Sequence, residues 1–374
     1  MPKMYESIYI LFRHDIILTL FGGGKSLKNK DIIYVILIIL AIVIPFSCSK
    51  RTAENEKPAA NPAVVKTQSE SAAGKLKVIT TILPVYDIVK NVGGESVEVH
   101  NLLPPGGSPH TFEPSAEDAA AIENADLMFV VGLSLDNWLE RLAKASGEQF
   151  ARKIIVLSGG IETIPLKEES LSEGEEHHDE DAHSHEHSHN HEHEHEHGSI
   201  DPHIWMDPVN VKKMAENARD ALIAAKPDKK EYFTANCEAY KAKLDELDKK
   251  YQETLSKFEK KNFITFHSFL GYTAKKYGMN QVAVLAVDPG KEPDPQHIIR
   301  SIEILRKNNV KVVFAEPQFS KKASESIANE IGGKVVSVDP MGSLNDPERD
   351  SYQKNMEQNL KSLSEAFQTE NERK

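Results

Sequence analysis

The apolar positions of this chain change period repeatedly, and each change marks an element. Leu76 to Ile82 is a β-rich run, and Val85 to Val92 reads as a short helix closed by Gly93-Gly94. Val97 to Leu103 alternates as a strand. Pro104 to Gly107 is a turn, and Ser115 is placed to cap a helix running through Ala125, with Glu117 adding negative charge near its start. Asp126 to Val131 reads as a buried strand, Leu135 to Lys144 as a helix and Lys153 to Leu157 as a strand. Residues 167–199 break the pattern with no apolar periodicity at all, a length at which a loop is either functional or disordered.

Beyond the break the helical period is long. Val209 to Ala225 is one helix, stopped near Pro227. Asp228 to Lys261 is a second, with apolar or aromatic residues at Tyr232, Phe233, Cys237, Tyr240, Leu244, Leu247, Tyr251, Leu255 and Phe258, a spacing of three to four. Strand–helix alternation then restarts. Strands are expected at Phe263–Phe266, Gln281–Ala286, Val310–Ala315 and Lys334–Val338. Helices are expected at Ser268–Tyr277, His297–Lys307, Ser320–Ile331 and Tyr352–Phe367. Such alternation implies largely parallel sheets covered on both faces. The expected fold class is therefore α/β: two lobes joined by one long backbone helix. The lobes are placed at 75–226 and 262–374, with the connecting helix at 227–261.

The first residues have a different character. Lys25, Lys28 and Lys30 precede a 15-residue apolar run, Ile32 to Phe46, that ends at Ser47-Cys48. A positive flank, a short apolar core and a small residue before a cysteine predict an export leader over 1–48. The run is short of the roughly 20 residues a membrane-spanning helix needs. Lipidation at Cys48 would anchor the exported chain to the membrane, and residues 49–74, rich in Ala, Pro, Asn, Glu, Ser and Lys, read as a flexible tether.

Composition matters in one respect. The formal charge is -12, and residues 168–198 alone supply twelve Asp/Glu with no Lys/Arg, so the remainder balances. No basic surplus is left to neutralise phosphates, which argues against a nucleic-acid partner. With only two cysteines, Cys48 and Cys237, a disulfide framework and a Cys-based metal site are both excluded.

The candidate chemistry is histidine. Ten of the sixteen histidines lie between His177 and His197, interleaved with carboxylates. Neutral imidazoles bind Zn, Cu and Ni, so this run is expected to collect metal weakly without forming a defined site. Outside the run, His110, His203 and His267 share a context: each lies where a loop or strand end meets the start of a helix, beside Pro, Trp or Phe. Open α/β sheets place ligands at strand ends, and a cleft between the lobes would collect all three. Three His with one carboxylate suit four-coordinate zinc. Asp339, at the end of the last strand, is the expected fourth ligand. His100 reads as solvent-facing, His297 as a neighbour of a helix start and His14 as part of the leader, none with a metal.

Several motifs together resemble the metal-specific substrate-binding proteins of bacterial ABC importers, in particular the ZnuA-like zinc-uptake branch. They are Ser108-Pro109-His110-Thr111-Phe112-Glu113-Pro114, Asp201-Pro202-His203-Ile204-Trp205-Met206-Asp207-Pro208, Phe266-His267-Ser268-Phe269 with Tyr272 and Tyr277-Gly278, Phe314-Ala315-Glu316-Pro317-Gln318, and Val338-Asp339-Pro340. The resemblance spans roughly 75–367. It implies that His110, His203 and His267 bind the metal, with Asp339 or a water completing the set and Glu316 supporting from behind. It also implies zinc over manganese, because the manganese branch typically carries a glutamate where this chain has His267. Asp207 reads as a helix N-cap.

The implied function is an exported, periplasmic or cell-surface receptor, not an enzyme. It would act as a monomer, with no catalytic residue, and pass Zn2+ to an ABC permease and its ATPase subunit. A manganese or iron receptor of the same fold, a zinc metallohydrolase, a surface adhesin and a metal buffer are the competing readings. The hydrolase reading needs a His-Glu-x-x-His helix, and outside the histidine run the sequence has no such pattern.

Overall fold

Two four-stranded sheets organise the chain, and all pairings within them are parallel. The structure is a computed structural model that describes residues 74–139, 148–167, 200–286 and 295–372. The expected leader with Cys48, nearly all of the tether, the histidine run and the end of the helix expected at Leu135–Lys144 lie outside the described residues. No helix among the described residues is long and apolar enough to cross a membrane.

The first sheet contains β1 (Leu76–Thr80), β2 (Val97–Asn101), β3 (Leu127–Val130) and β4 (Ile154–Val156), in the order β2-β1-β3-β4. The second contains β5 (Asn262–Thr265), β6 (Asn280–Val284), β7 (Val312–Ala315) and β8 (Lys334–Ser337), in the order β6-β5-β7-β8. The two sheets are wound alike. In each, the winding reverses between the first and third strands, the place where open α/β sheets leave a crevice at their C-terminal ends.

Period-two side-chain alternation explains how the sheets share a core. Val78, Phe129, Phe263, Val312 and Phe314 point into one cluster that runs through both sheets. Their chain neighbours Ile79, Met128 and Val130 fill a separate cluster on the other face of the first sheet. Ile264 and Val313 do the same for the second. The lobes are therefore joined by a continuous apolar core as well as by the chain.

The helices around β1 to β4 are α1 (Leu83–Gly93), α2 (Ala116–Glu123) and the short α3 (Glu148–Ala151). Ser115 caps α2 in a reciprocal box with Asp118: its Oγ accepts the Asp118 N–H, and its own N–H donates to the Asp118 carboxylate. Then come α4 (Pro208–Ala225) and α5 (Lys230–Leu255). Asp207 caps α4, its Oδ1 accepting the Val209 N–H at 2.8 Å, with Pro208 in the first turn as expected.

The connecting helix α5 is 26 residues long, about 39 Å at 1.5 Å per residue, and shorter than expected at both ends. A 3-10 turn at Pro227–Lys229 precedes it, and residues 256–261 leave the helix to feed β5. Of the predicted face, Phe233, Cys237, Tyr240, Leu244, Leu247, Tyr251 and Leu255 are buried, whereas Tyr232 is exposed and Phe258 lies beyond the helix end. The second sheet is flanked by α6 (Gly271–Tyr277), α7 (Pro295–Lys307), α8 (Lys322–Glu330) and α9 (Tyr352–Glu372). The expected helix start at Ser268 moves to Gly271, because residues 266–270 form a non-helical loop after β5.

Asp87 of α1 is buried against α5, where the Tyr240 hydroxyl donates to its Oδ2 at 3.0 Å. Burial raises its pKa from 3.8 to about 6. Asp136, buried with the Gly132 N–H donating to it, is likewise raised to about 6. A raised carboxyl pKa means that the folded state holds the proton more tightly than the unfolded one. The stability from this source is present below about pH 4 and lost as pH rises through about 6. For Asp87 the shift corresponds to about 3 kcal/mol. The melting temperature of Asp87→Asn, followed from about pH 4 to about pH 7, should fall less than that of the parent chain. Parallel curves would show that Asp87 does not contribute to the slope.

Candidate metal centre

The elements place two imidazoles from the first lobe's loops against one from the second. His110 sits in a turn after β2, where its N–H donates to Ser108 Oγ at 3.3 Å and Thr111 N–H donates to the Ser108 carbonyl. Phe112, two residues on, packs edge-to-face on Trp138, with ring centroids 5.5 Å apart, and anchors this loop. His203 precedes a 3-10 turn, Ile204–Met206, that leads into the Asp207 cap of α4. His267 follows β5, at the C-terminal edge of the second sheet.

The three rings converge. His203 Nε2 lies 3.3 Å from His110 Nε2 and 3.2 Å from His267 Nε2. One ligand nitrogen from each lies within 4.8 Å of the others. His203 and His267 are 1% and 3% exposed, whereas His110 is intermediate.

What stands behind the rings explains why they face each other. The Asp201 carboxylate sits 2.8 Å from His203 Nδ1 and also accepts the His203 N–H at 2.9 Å. The Glu316 carboxylate, just after β7, pairs with His267 Nδ1. Carboxylates accept, so each Nδ1 donates to its carboxylate, and in the neutral ring Nε2 is then the nitrogen that presents a lone pair. With both rings neutral, two Nε2 lone pairs 3.2 Å apart would repel unless they shared a cation. His110 is held well below the ordinary imidazole range, first by burial of its ring and then by the neighbouring His267 and His203 rings. It is therefore neutral and available at physiological pH.

Charge points the same way. Asp201 and Glu316 are buried, at 1% and 3% exposure, and among the described residues their ion-pairing contacts are to these histidines alone. Among the described residues, Asp201 Oδ2 is buried without a hydrogen-bond partner. Two buried carboxylates behind neutral imidazoles match a divalent cation, and His nitrogens match a borderline-soft one such as zinc.

Not every expected residue joins the cluster. Asp339 stands at the end of β8, but its Oδ1 already accepts from Gln318 Nε2 at 2.8 Å and from the Met341 N–H at 2.9 Å. It is absent from the three-histidine group. His100 is exposed, as expected. His297 lies in the first turn of α7, near the helix start as expected, and is buried there with Nε2 donating to the Val284 carbonyl at 2.7 Å. Asp201 was not expected in a role. The Asp-x-His spacing, which lets one carboxylate oxygen reach both the N–H and the ring two residues on, is the signal that would have found it.

Comparisons with known proteins agree in kind. A family profile described as zinc-uptake complex component A, periplasmic, matches residues 78–366. The zinc-binding lipoprotein AdcA of Streptococcus pneumoniae is 34% identical over 310 residues, covering 82% of this chain and 59% of the relative. This chain thus spans under two thirds of that protein. The high-affinity zinc uptake system protein ZnuA of Bacillus subtilis is 35% identical over 305 residues, covering 81% of this chain and 91% of the relative. The crystal structure of Zn(II)-bound AdcA from Streptococcus pneumoniae superimposes with a TM-score of 0.62 at 31% identity, covering 79% of this chain and 58% of that one.

Proposed function

The chain belongs to the family of periplasmic zinc-uptake components, and we propose on that premise that it is an extracytoplasmic receptor for Zn2+. In this reading it captures the ion with His110, His203 and His267 and delivers it to an ABC permease with its ATPase subunit. The observation that carries the reading is the convergence of three imidazole Nε2 atoms, two of them on rings backed by buried carboxylates. Zinc is cargo, so no bond is made or broken in it. The three rings supply three ligands, and a water or Asp339 supplies the fourth.

The Asp201 and Glu316 carboxylates orient their rings and raise ring basicity, a support whose loss typically costs ~10–100-fold in metal affinity. The chain works as a monomer with no catalytic residue. Exported through the 1–48 leader, it is held to the membrane by a lipid at Cys48 and the 49–74 tether. The histidine run within 167–199 acts as a collector that raises local metal concentration.

Zinc titration with manganese in large excess tests the receptor reading, on the whole mature chain and on the same chain without residues 168–198. One tight zinc site is expected in both, with additional weak sites only when the run is present. Equal competition by manganese would overturn the zinc assignment. Loss of every tight site on removing the run would overturn the cleft as the receptor.

A further inference from the structure

His203 belongs by sequence to the first lobe, yet the second lobe holds its support. The Tyr272 hydroxyl, on α6, donates to the Asp201 carbonyl at 2.9 Å and accepts the Ile164 N–H at 3.3 Å. Asp201 N–H in turn donates to the Ile164 carbonyl at 2.9 Å, beside an antiparallel bridge between Pro165 and Ile200. Both peptide groups of Asp201 are thus fixed, one by the Ile164 carbonyl and one by Tyr272. Its side chain is fixed as well. A Cβ built on Gly271, the residue before Tyr272, would lie 2.4 Å from Asp201 Oδ2 and 3.0 Å from Ile164 Cδ1, so the carboxylate fills the space that the absent side chain leaves.

We propose that Tyr272 is a positioning residue for metal capture: with Gly271 it seats Asp201, and through Asp201 it sets the orientation of the His203 ring. The inference rests on the zinc-receptor reading and adds to it. The first turn of α6, which touches no ligand, becomes part of what tunes affinity. The hydroxyl holds the Asp201 backbone, the Asp201 carboxylate holds His203 Nδ1, and the opposite ring nitrogen faces the metal. A ligand free to swing would leave its lone pair off the point where the three rings meet. The ordering cost would then fall on the binding step.

Tyr272→Phe removes only the hydroxyl. Zinc affinity, measured by titrating zinc chloride into the whole mature chain, is expected to fall about five- to tenfold, the scale of one lost hydrogen bond. Gly271→Ala, which displaces the Asp201 carboxylate, should cost more, toward the ~10–100-fold of an outer-shell defect.

A structural role alone would not move the second readout, the His203 Nδ1–H resonance in metal-free protein labelled with 15N-histidine. In Tyr272→Phe that proton should exchange faster with water, while the His267 Nδ1–H, held by Glu316, stays unchanged. Combined with Asp201→Ala, which removes the link to His203 Nδ1, the tyrosine substitution should add nothing further to the affinity loss. A lowered melting temperature with unchanged zinc affinity and an unchanged His203 resonance would overturn the proposal, as would additive losses in the double variant. Absence of a tight zinc site in the parent chain would instead overturn the receptor reading. The resonance comparison in metal-free protein still decides the role of Tyr272 in that case.

Discussion

His203→Ala, placed in the chain lacking residues 168–198, is expected to abolish tight zinc binding. The residue is the hub of the cluster, with its Nε2 within 3.3 Å of His110 Nε2 and 3.2 Å of His267 Nε2. Its removal leaves two ring ligands and an Asp201 carboxylate with no imidazole to support. The loss should therefore exceed the ~10–100-fold typical of an outer-shell substitution. The backbone has less reason to change, because Asp201 Oδ1 can still accept the N–H of residue 203 and Tyr272 still holds the Asp201 carbonyl. Isothermal titration with zinc, alongside far-UV circular dichroism, separates lost binding from lost fold. A folded variant that retains the parent affinity would remove His203 from the site. In the chain that keeps its histidine run, weak binding should persist, and the difference between the two backgrounds isolates the cleft from the collector.

Much of this was legible in sequence, for physical reasons that differ by element. The strands could be read because their alternation feeds two faces: Phe263 and Ile264, adjacent in β5, go to different clusters. The buried face of α5 could be read because Phe233 through Leu255 repeat at three and four. The convergence of His110, His203 and His267 followed from three loop positions at element boundaries, and the structure brings those three together.

Three features were not legible. The start of α6 slid from Ser268 to Gly271, since propensity does not reveal that a loop is needed to aim His267. His297 stands at a helix start as expected, but only the fold buries it and supplies the Val284 carbonyl that pairs with it. Asp339 lies at a strand end as expected, but its Oδ1 is taken by Gln318 and the Met341 amide, partners that sequence alone does not assign.

Trp205→Ala should be the most damaging single change to stability. The side chain is fully buried, and its Nε1–H donates to the Pro340 carbonyl at 2.8 Å. The Trp205 carbonyl accepts the Tyr352 hydroxyl at 2.7 Å, and its ring lies 5.2 Å from that of His203. The tryptophan therefore ties the segment bearing His203 to the loop after β8 and to α9. Truncation leaves a cavity and an unpaired carbonyl, for an expected loss of about 3–5 kcal/mol. Trp205→Phe keeps a ring in place and removes the N–H donor, so about 1–3 kcal/mol is expected for the Pro340 carbonyl left without its partner.

The two variants should also respond differently to ligand. Zinc stabilises the folded state by RT ln(1 + [L]/Kd), so a retained site appears as a rise in melting temperature when zinc is added. Trp205→Phe should keep most of that rise. Trp205→Ala should lose much of it, because the ring beneath His203 is gone as well as the bridge to Pro340. Equal zinc-induced shifts in both variants would mean that the tryptophan holds the lobes together without shaping the site.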